Sequence, residues 1–97
     1  MTVYCIGRLS VRDASWMDDY VGPTGELVEK HGGRYLVAGG AMEQREGEGP
    51  LPDSMVVLEF PTKEQAVAWH DDPDYAPLRA LRDSGSSLDF VLVEGTD

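Results

Sequence analysis

The chain is short of several things, and each shortage excludes something. It has one cysteine, Cys5, in 97 residues. A lone cysteine cannot close an internal disulfide. Here it lies in an apolar run, so it reads as a buried, reduced thiol in a reducing compartment. Basic residues are few: eight Lys and Arg stand against eighteen Asp and Glu, a net charge of −10. That field repels phosphate backbones and anionic lipid, and no basic run offsets it. Neither nucleic acid nor membrane is an expected partner. No apolar run approaches the roughly 20 residues needed to span a bilayer. Met1 to Val11 lacks the basic stretch and long apolar core of a signal peptide. The expectation is a soluble, cytoplasmic protein. No internal repeat or low-complexity tract is present, and the length suits one domain, residues 1–97.

What is present is a clear order of patterns. Val3–Val11 alternates as a strand, with Val3, Cys5, Leu9 and Val11 on one face and Tyr4 and Ile6 on the other. Gly7 interrupts the first face and marks a bulge or a close approach. Asp13 is placed to cap a helix in which Trp16, Tyr20, Leu27 and His31 recur at helical spacing. Gly22-Pro23 should kink or break it. Gly32 ends it. Arg34–Gly40 reads as a second strand running on toward Glu46, with a bend at Gly39-Gly40. Gly47–Asp53 is a loop. Ser54–Phe60 is apolar on both faces, as in a central strand. Thr62 and Gln65 form a capping box for a helix that carries Ala66, Trp69 and His70 inward. Asp72-Pro73 restarts a helix lined by Tyr75, Leu78, Leu81 and Arg82. After a loop over Asp83–Ser87, Leu88–Glu94 is the last strand.

The order β-α-β-β-α-β is the split βαβ pattern of ferredoxin-like α+β folds. Right-handed crossovers place both helices on one face of a four-stranded antiparallel sheet. The other face then lies bare although its residues are apolar, which soluble chains avoid. A homodimer packed through that face, a dimeric α+β barrel, is the expected solution.

Several side chains are candidates for chemistry. His31 ends the first helix on its apolar stripe, where it reads either as a general base in a cavity or as a helix-end histidine bonding the last carbonyls or a neighbour. Glu59 interrupts an apolar strand. It reads as an acid or base in the cavity, or as half of an ion pair with Arg8, Arg34 or Arg82. Trp16, Tyr20, Trp69 and Tyr75 could wall an apolar pocket or simply form core. His70, Asp71, Asp72 and Asp74 lie close together but match no metal-ligand spacing, and no metal site is assigned. No haem, flavin or nucleotide motif is visible, so no cofactor is expected.

Four segments also look familiar. His31–Gly40 (HGGRYLVAGG), Val56–Pro61 (VVLEFP), Ala68–Tyr75 (AWHDDPDY) and Val91–Gly95 (VLVEG) stand in the same order as the motifs of a bacterial family. The chain resembles that family, catalogued as a domain of unknown function (number thirteen-thirty), from Tyr4 to Gly95. The resemblance implies a dimeric α+β barrel, in a superfamily that also holds small monooxygenases, dismutases and lactone isomerases. It carries no assigned activity. Two positions depart from the family's usual pattern: Ala38 stands where it has Arg, and His70 where it has Tyr.

The reading that follows is an uncharacterised dimeric protein acting on a small organic molecule. His31 and Glu59 would be the catalytic groups. Trp16, Tyr20, Arg34, Trp69, Tyr75 and Arg82 would be the binding groups. Such a toolkit fits cofactor-free isomerase or monooxygenase chemistry, or simple binding. The alternatives are a non-catalytic dimeric module for a metabolite or protein, and a function carried by the dimer surface or the Gly47–Asp53 loop.

Overall fold

The computed structural model describes residues 1–97. Seven elements follow in order: β1 (Val3–Val11), α1 (Met17–Lys30), β2 (Arg34–Gly39), β3 (Ser54–Phe60), α2 (Lys63–His70), α3 (Ala76–Asp83) and β4 (Ser86–Glu94). The four strands form one antiparallel sheet in the order β2-β3-β1-β4. This is the ferredoxin-like α+β arrangement, with the second helical segment split in two.

Alternation along the strands decides what each face carries. On the helix side, Cys5 pairs with Leu58 and Leu92, and Gly7 with Val56 and Phe90. Val3, Cys5, Leu58, Phe60, Val28, Ala66, Trp69 and Tyr75 make the core. Burying a side chain such as Leu58 contributes roughly 1.5–3 kcal/mol. Gly7 sits in unbroken register, so it marks a close approach and not a bulge. A Cβ there would stand 3.0 Å from Leu88 Cδ1 and 3.1 Å from Phe90 Cδ1. The missing side chain lets both residues lean over the middle of the sheet.

The outer face repeats in rows. Val37, Val57, Ile6 and Val91 form a continuous apolar row across all four strands. On one side of it lie Arg34, Glu59, Tyr4 and Val93, and on the other Gly39, Met55, Arg8 and Asp89. No helix covers this side. Val37, Val91 and Val93 are 47%, 58% and 46% exposed.

Several local expectations change. Asp13 accepts from the Ser15 N–H at 2.9 Å, closing a turn before the helix. It does not cap α1; the residue at the cap position is Trp16, which makes no side-chain cap. α1 runs through Pro23 unbroken. The carbonyl that proline leaves unpaired belongs to Asp19, which is exposed and open to water. β2 stops at Gly39, and its irregularity lies between Tyr35 and Val37. Leu36 is the extra residue there; no bend was needed at Gly39-Gly40. α3 begins at Ala76, with Pro77 in its first turn. Asp72 and Pro73 belong to the turn before it, where the Asp72 carbonyl accepts from the Tyr75 N–H at 2.8 Å. β4 starts at Ser86, two residues earlier than its apolar pattern.

Two helix ends form as their residues dictate. Gly32 adopts φ 83°, a conformation only glycine takes without strain. The Gly33 N–H then reaches the Val28 carbonyl at 2.9 Å and the Gly32 N–H reaches that of Glu29 at 3.0 Å. At α2, Thr62 accepts from the Gln65 N–H at 3.2 Å. The Gln65 side chain donates onward to the His31 carbonyl at 3.2 Å, joining the end of α1 to the start of α2.

Candidate functional site

Between α1, α3 and the helix side of the sheet lies a cavity of about 350 Å³. Its floor is sheet: Leu9, Val56, Leu58, Leu88 and Phe90. Gly7 shapes that floor by the absence of a side chain. Trp16, Tyr20, Trp69 and Tyr75 form the walls. Val21, Tyr35 and Ala38 line it and are exposed, so they form the rim. Of the fifteen lining residues thirteen are hydrophobic, leaving Ser54 and Arg82. The volume falls in the range that holds a small organic ligand.

The polar groups converge at one end. The Tyr20 and Tyr75 hydroxyls are 2.6 Å apart. Arg82 donates from Nη1 to the Tyr75 oxygen at 3.2 Å. Its Nε and Nη2 donate to Asp83 Oδ1 at 3.2 and 3.1 Å. Arg82 is 8% exposed, whereas the Asp83 side chain is 59% exposed. Tyr75 is held on every side. Its ring stacks on Trp69 with centroids 4.7 Å apart, and the Arg79 guanidinium lies 5.8 Å from the ring centre. Burial, followed by the neighbouring Tyr20, pushes the Tyr75 pKa up. This phenol remains a protonated donor at neutral pH.

Packing is tight around this group. Trp16 meets Tyr20 edge to face, at 5.1 Å and 87°. Trp69 also contacts Phe60 and Phe90 at 5.6 and 5.9 Å. The indole N–H groups of Trp16 and Trp69 are buried with no hydrogen-bond partner. Buried donors are rarely left so, and both rings line the cavity.

The structure thus brings together Trp16, Tyr20, Trp69, Tyr75 and Arg82. It places His31, Glu59 and Arg34 elsewhere. His31 Nε2 lies 2.8 Å from Asp72 Oδ2, with Lys30 Nζ 3.2 Å from the same oxygen, at the corner where α1 meets the α2–α3 turn. Asp72 is 8% exposed, and its other oxygen accepts from the Asp74 N–H at 2.9 Å. The His31 hydrogen bond, then that backbone contact, hold its pKa down at about 2. Glu59 pairs with Arg34 across β3 and β2 on the outer face, so the whole sheet separates it from the cavity. Burial pushes the Cys5 thiol up to about 11, which leaves it unreactive. No three His, Cys, Asp or Glu side chains group as a metal site would require. No helix is long and apolar enough to cross a membrane. Sequence reasoning missed Tyr35, which alternation on β2 directs to the helix side opposite Leu58.

The model of one protein family, described as a domain of unknown function (DUF1330), matches residues 2–96. The chain belongs to the DUF1330 family. No curated protein matches it. Among solved structures it is similar to a protein of unknown function from Rhodopseudomonas palustris. That match has 16% identity and a TM-score of 0.82, over 99% of this chain and 83% of that one. A dimeric ferredoxin-like protein of unknown function from Jannaschia sp. superposes with TM-score 0.73 and 13% identity, over 98% and 100% of the two chains. SnoaB, a cofactor-independent oxygenase from Streptomyces nogalater, superposes with TM-score 0.69 and 12% identity, over 99% and 94%. At such identities the shared property is the fold. This DUF1330 chain therefore has a family and an architecture, but no established activity.

Proposed function

We propose that this protein binds a small, largely apolar organic molecule carrying an oxygen acceptor, and that it acts on that molecule without a cofactor, in the manner of an isomerase or monooxygenase. The observation that carries the reading is the cavity's polarity: an apolar enclosure in which the Tyr20 and Tyr75 hydroxyls and the one guanidinium, Arg82, meet. A ligand placed there would bury its apolar body and turn its oxygen toward Tyr20 and Tyr75. SnoaB, a protein of the same fold, is a cofactor-independent oxygenase, which supports this chemistry as one the fold can host. The proposed functional unit is a homodimer joined through the outer sheet faces, in the cytoplasm. The apolar row on that face and the dimeric relatives of the same fold support it.

One observation favours the other reading, a non-catalytic dimeric binding module. No lining side chain is a carboxylate, imidazole, amine or thiol, so the cavity holds no strong general base. Both readings require occupancy of the cavity, and that is testable first. The chain has two tryptophans, Trp16 and Trp69, and both line the cavity. Titration with 2-naphthol should quench their fluorescence saturably, at one equivalent per protomer. Ala38→Phe, at the exposed rim, should weaken that binding roughly tenfold or more, about 1.4 kcal/mol. Linear quenching without saturation, unchanged by Ala38→Phe, would rule the cavity out.

A further inference from the structure

We infer that the cavity takes its ligand as a single-oxygen anion, a phenolate or an enolate, and that the ligand gives up its own proton to bulk water. This rests on the cavity reading above and names the chemical class it selects.

Charge is the first ground. Arg82 is the only charged side chain lining the cavity, and no carboxylate lines it. The partner of Arg82, Asp83, is more than half exposed, so water screens it, while the guanidinium is buried. Arg82, although paired with Asp83 on its outer side, therefore brings the one positive charge to the cavity wall, where it favours an oxyanion.

Hydrogen bonding is the second ground. Arg82 donates to the Tyr75 oxygen, and the Tyr75 hydroxyl shares a 2.6 Å hydrogen bond with that of Tyr20 in which either can donate; one arrangement has Tyr75 donating to Tyr20. In that arrangement the Tyr20 proton has no protein acceptor and can be given to a ligand. Each bond in such a chain polarises the next, and the positive charge at its far end makes Tyr20 a stronger donor. The array supplies donors at one point and apolar wall elsewhere, which matches one oxygen on a hydrocarbon frame.

Acid–base chemistry is the third ground. No carboxylate, imidazole, amine or thiol on the walls stands ready to take the ligand's proton. What the protein can do is stabilise the anion that an acidic phenol or enol forms by itself. The O–H bond of the ligand breaks, its electron pair stays on oxygen, and the proton leaves to solvent. Arg82 bonds Tyr75 and Asp83, shares the cavity with Tyr20 from α1 and Tyr35 from β2, and lies near enough to His70 from α2 for its charge to act there; Arg79 lies over the Tyr75 ring. Burial, then the charge of Arg79, hold His70 below its ordinary pKa.

4-Nitrophenol tests this, since it titrates near neutrality and its phenolate is coloured. The expected result is a bound probe whose pKa is lower by about one unit or more, which is a tenfold preference for the phenolate. The shift should disappear in Arg82→Gln, persist in Arg82→Lys, and shrink in Tyr20→Phe, with folding of each variant checked by circular dichroism. A bound 4-nitrophenol with an unchanged or raised pKa in the wild-type protein would overturn the anion inference while leaving the cavity reading intact. Failure of both phenol and phenolate to bind would overturn the two together.

Discussion

Tyr75 shows how one side chain can serve both stability and site. Its ring packs on Trp69, Arg79 lies over it, and its hydroxyl joins Tyr20 to Arg82. Tyr75→Phe keeps the packing and removes the oxygen. Arg82 Nη1 then loses its only acceptor on that side, in a place largely shut off from water. Such a loss costs about 1–3 kcal/mol. Urea unfolding should show this as a lower midpoint with unchanged slope. A midpoint unchanged from wild type would mean that water enters and satisfies Arg82. The residue scale also explains why Glu59 drew attention from sequence alone. A carboxylate in an apolar strand is anomalous, and only the position of Arg34 one strand away makes it an ordinary surface pair.

The corner between helices is the feature that matters at the scale of elements. α1 ends at a Schellman turn, α2 begins at a capping box, and the Gln65 side chain links the two. Asp72 then collects His31, Lys30 and the Asp74 N–H. Because the Asp72 carbonyl also accepts from the Tyr75 N–H, this corner sets where Tyr75 starts. His31 is thus built into the framework that positions a cavity wall. The folded pKa of Asp72, about 2, lies below its ordinary 3.8. Its contribution to stability is therefore complete above pH 4 and is lost as pH falls toward 2. In His31→Ala the Asp72 carboxyl should titrate closer to 3.8, as followed by carboxyl-carbon NMR. The acid limb of the stability curve should flatten with it. An Asp72 titration that does not move would assign its low pKa to the Asp74 N–H and Lys30 instead.

At the scale of the whole molecule the two sheet faces divide the work. Leu58 faces the helices and is 1% exposed, while its neighbour Val57 lies in the outer apolar row. The same substitution at adjacent positions should therefore have different outcomes. Leu58→Asp places an unpaired charge in the core and should abolish folding, at a cost of several kcal/mol. Val57→Asp should leave a folded chain and convert the proposed dimer to monomer, as measured by light scattering after gel filtration. Each protomer carries −10, so added salt should strengthen association of the wild-type chain. A wild-type chain that is monomeric at every concentration would refute the outer face as the dimer surface.

Much of this was legible in the chain itself, and the reason is locality. Strand alternation in Val3–Val11 and Ser54–Phe60 is a property of consecutive residues. So are the Gly32 helix end and the Thr62–Gln65 cap. Element order then restricts the topology to very few choices, and the bare apolar face follows from it. The starts of α3 and β4 were misread by a few residues, since Asp72-Pro73 has the signature of a helix start but forms a turn before one. The site was legible only in part. Trp16, Tyr20, Trp69, Tyr75 and Arg82 stood out as aromatic and charged residues at inward spacing, yet nothing local says that Tyr20 and Tyr75, 55 positions apart, share a hydrogen bond. Nor does anything local turn His31 toward Asp72, or put Glu59 on the far side of the sheet from both. Those outcomes depend on strand register and on how helices settle on the sheet. Register moves a side chain from one face to the other with a slip of a single residue, and it is fixed only when all four strands and three helices pack at once.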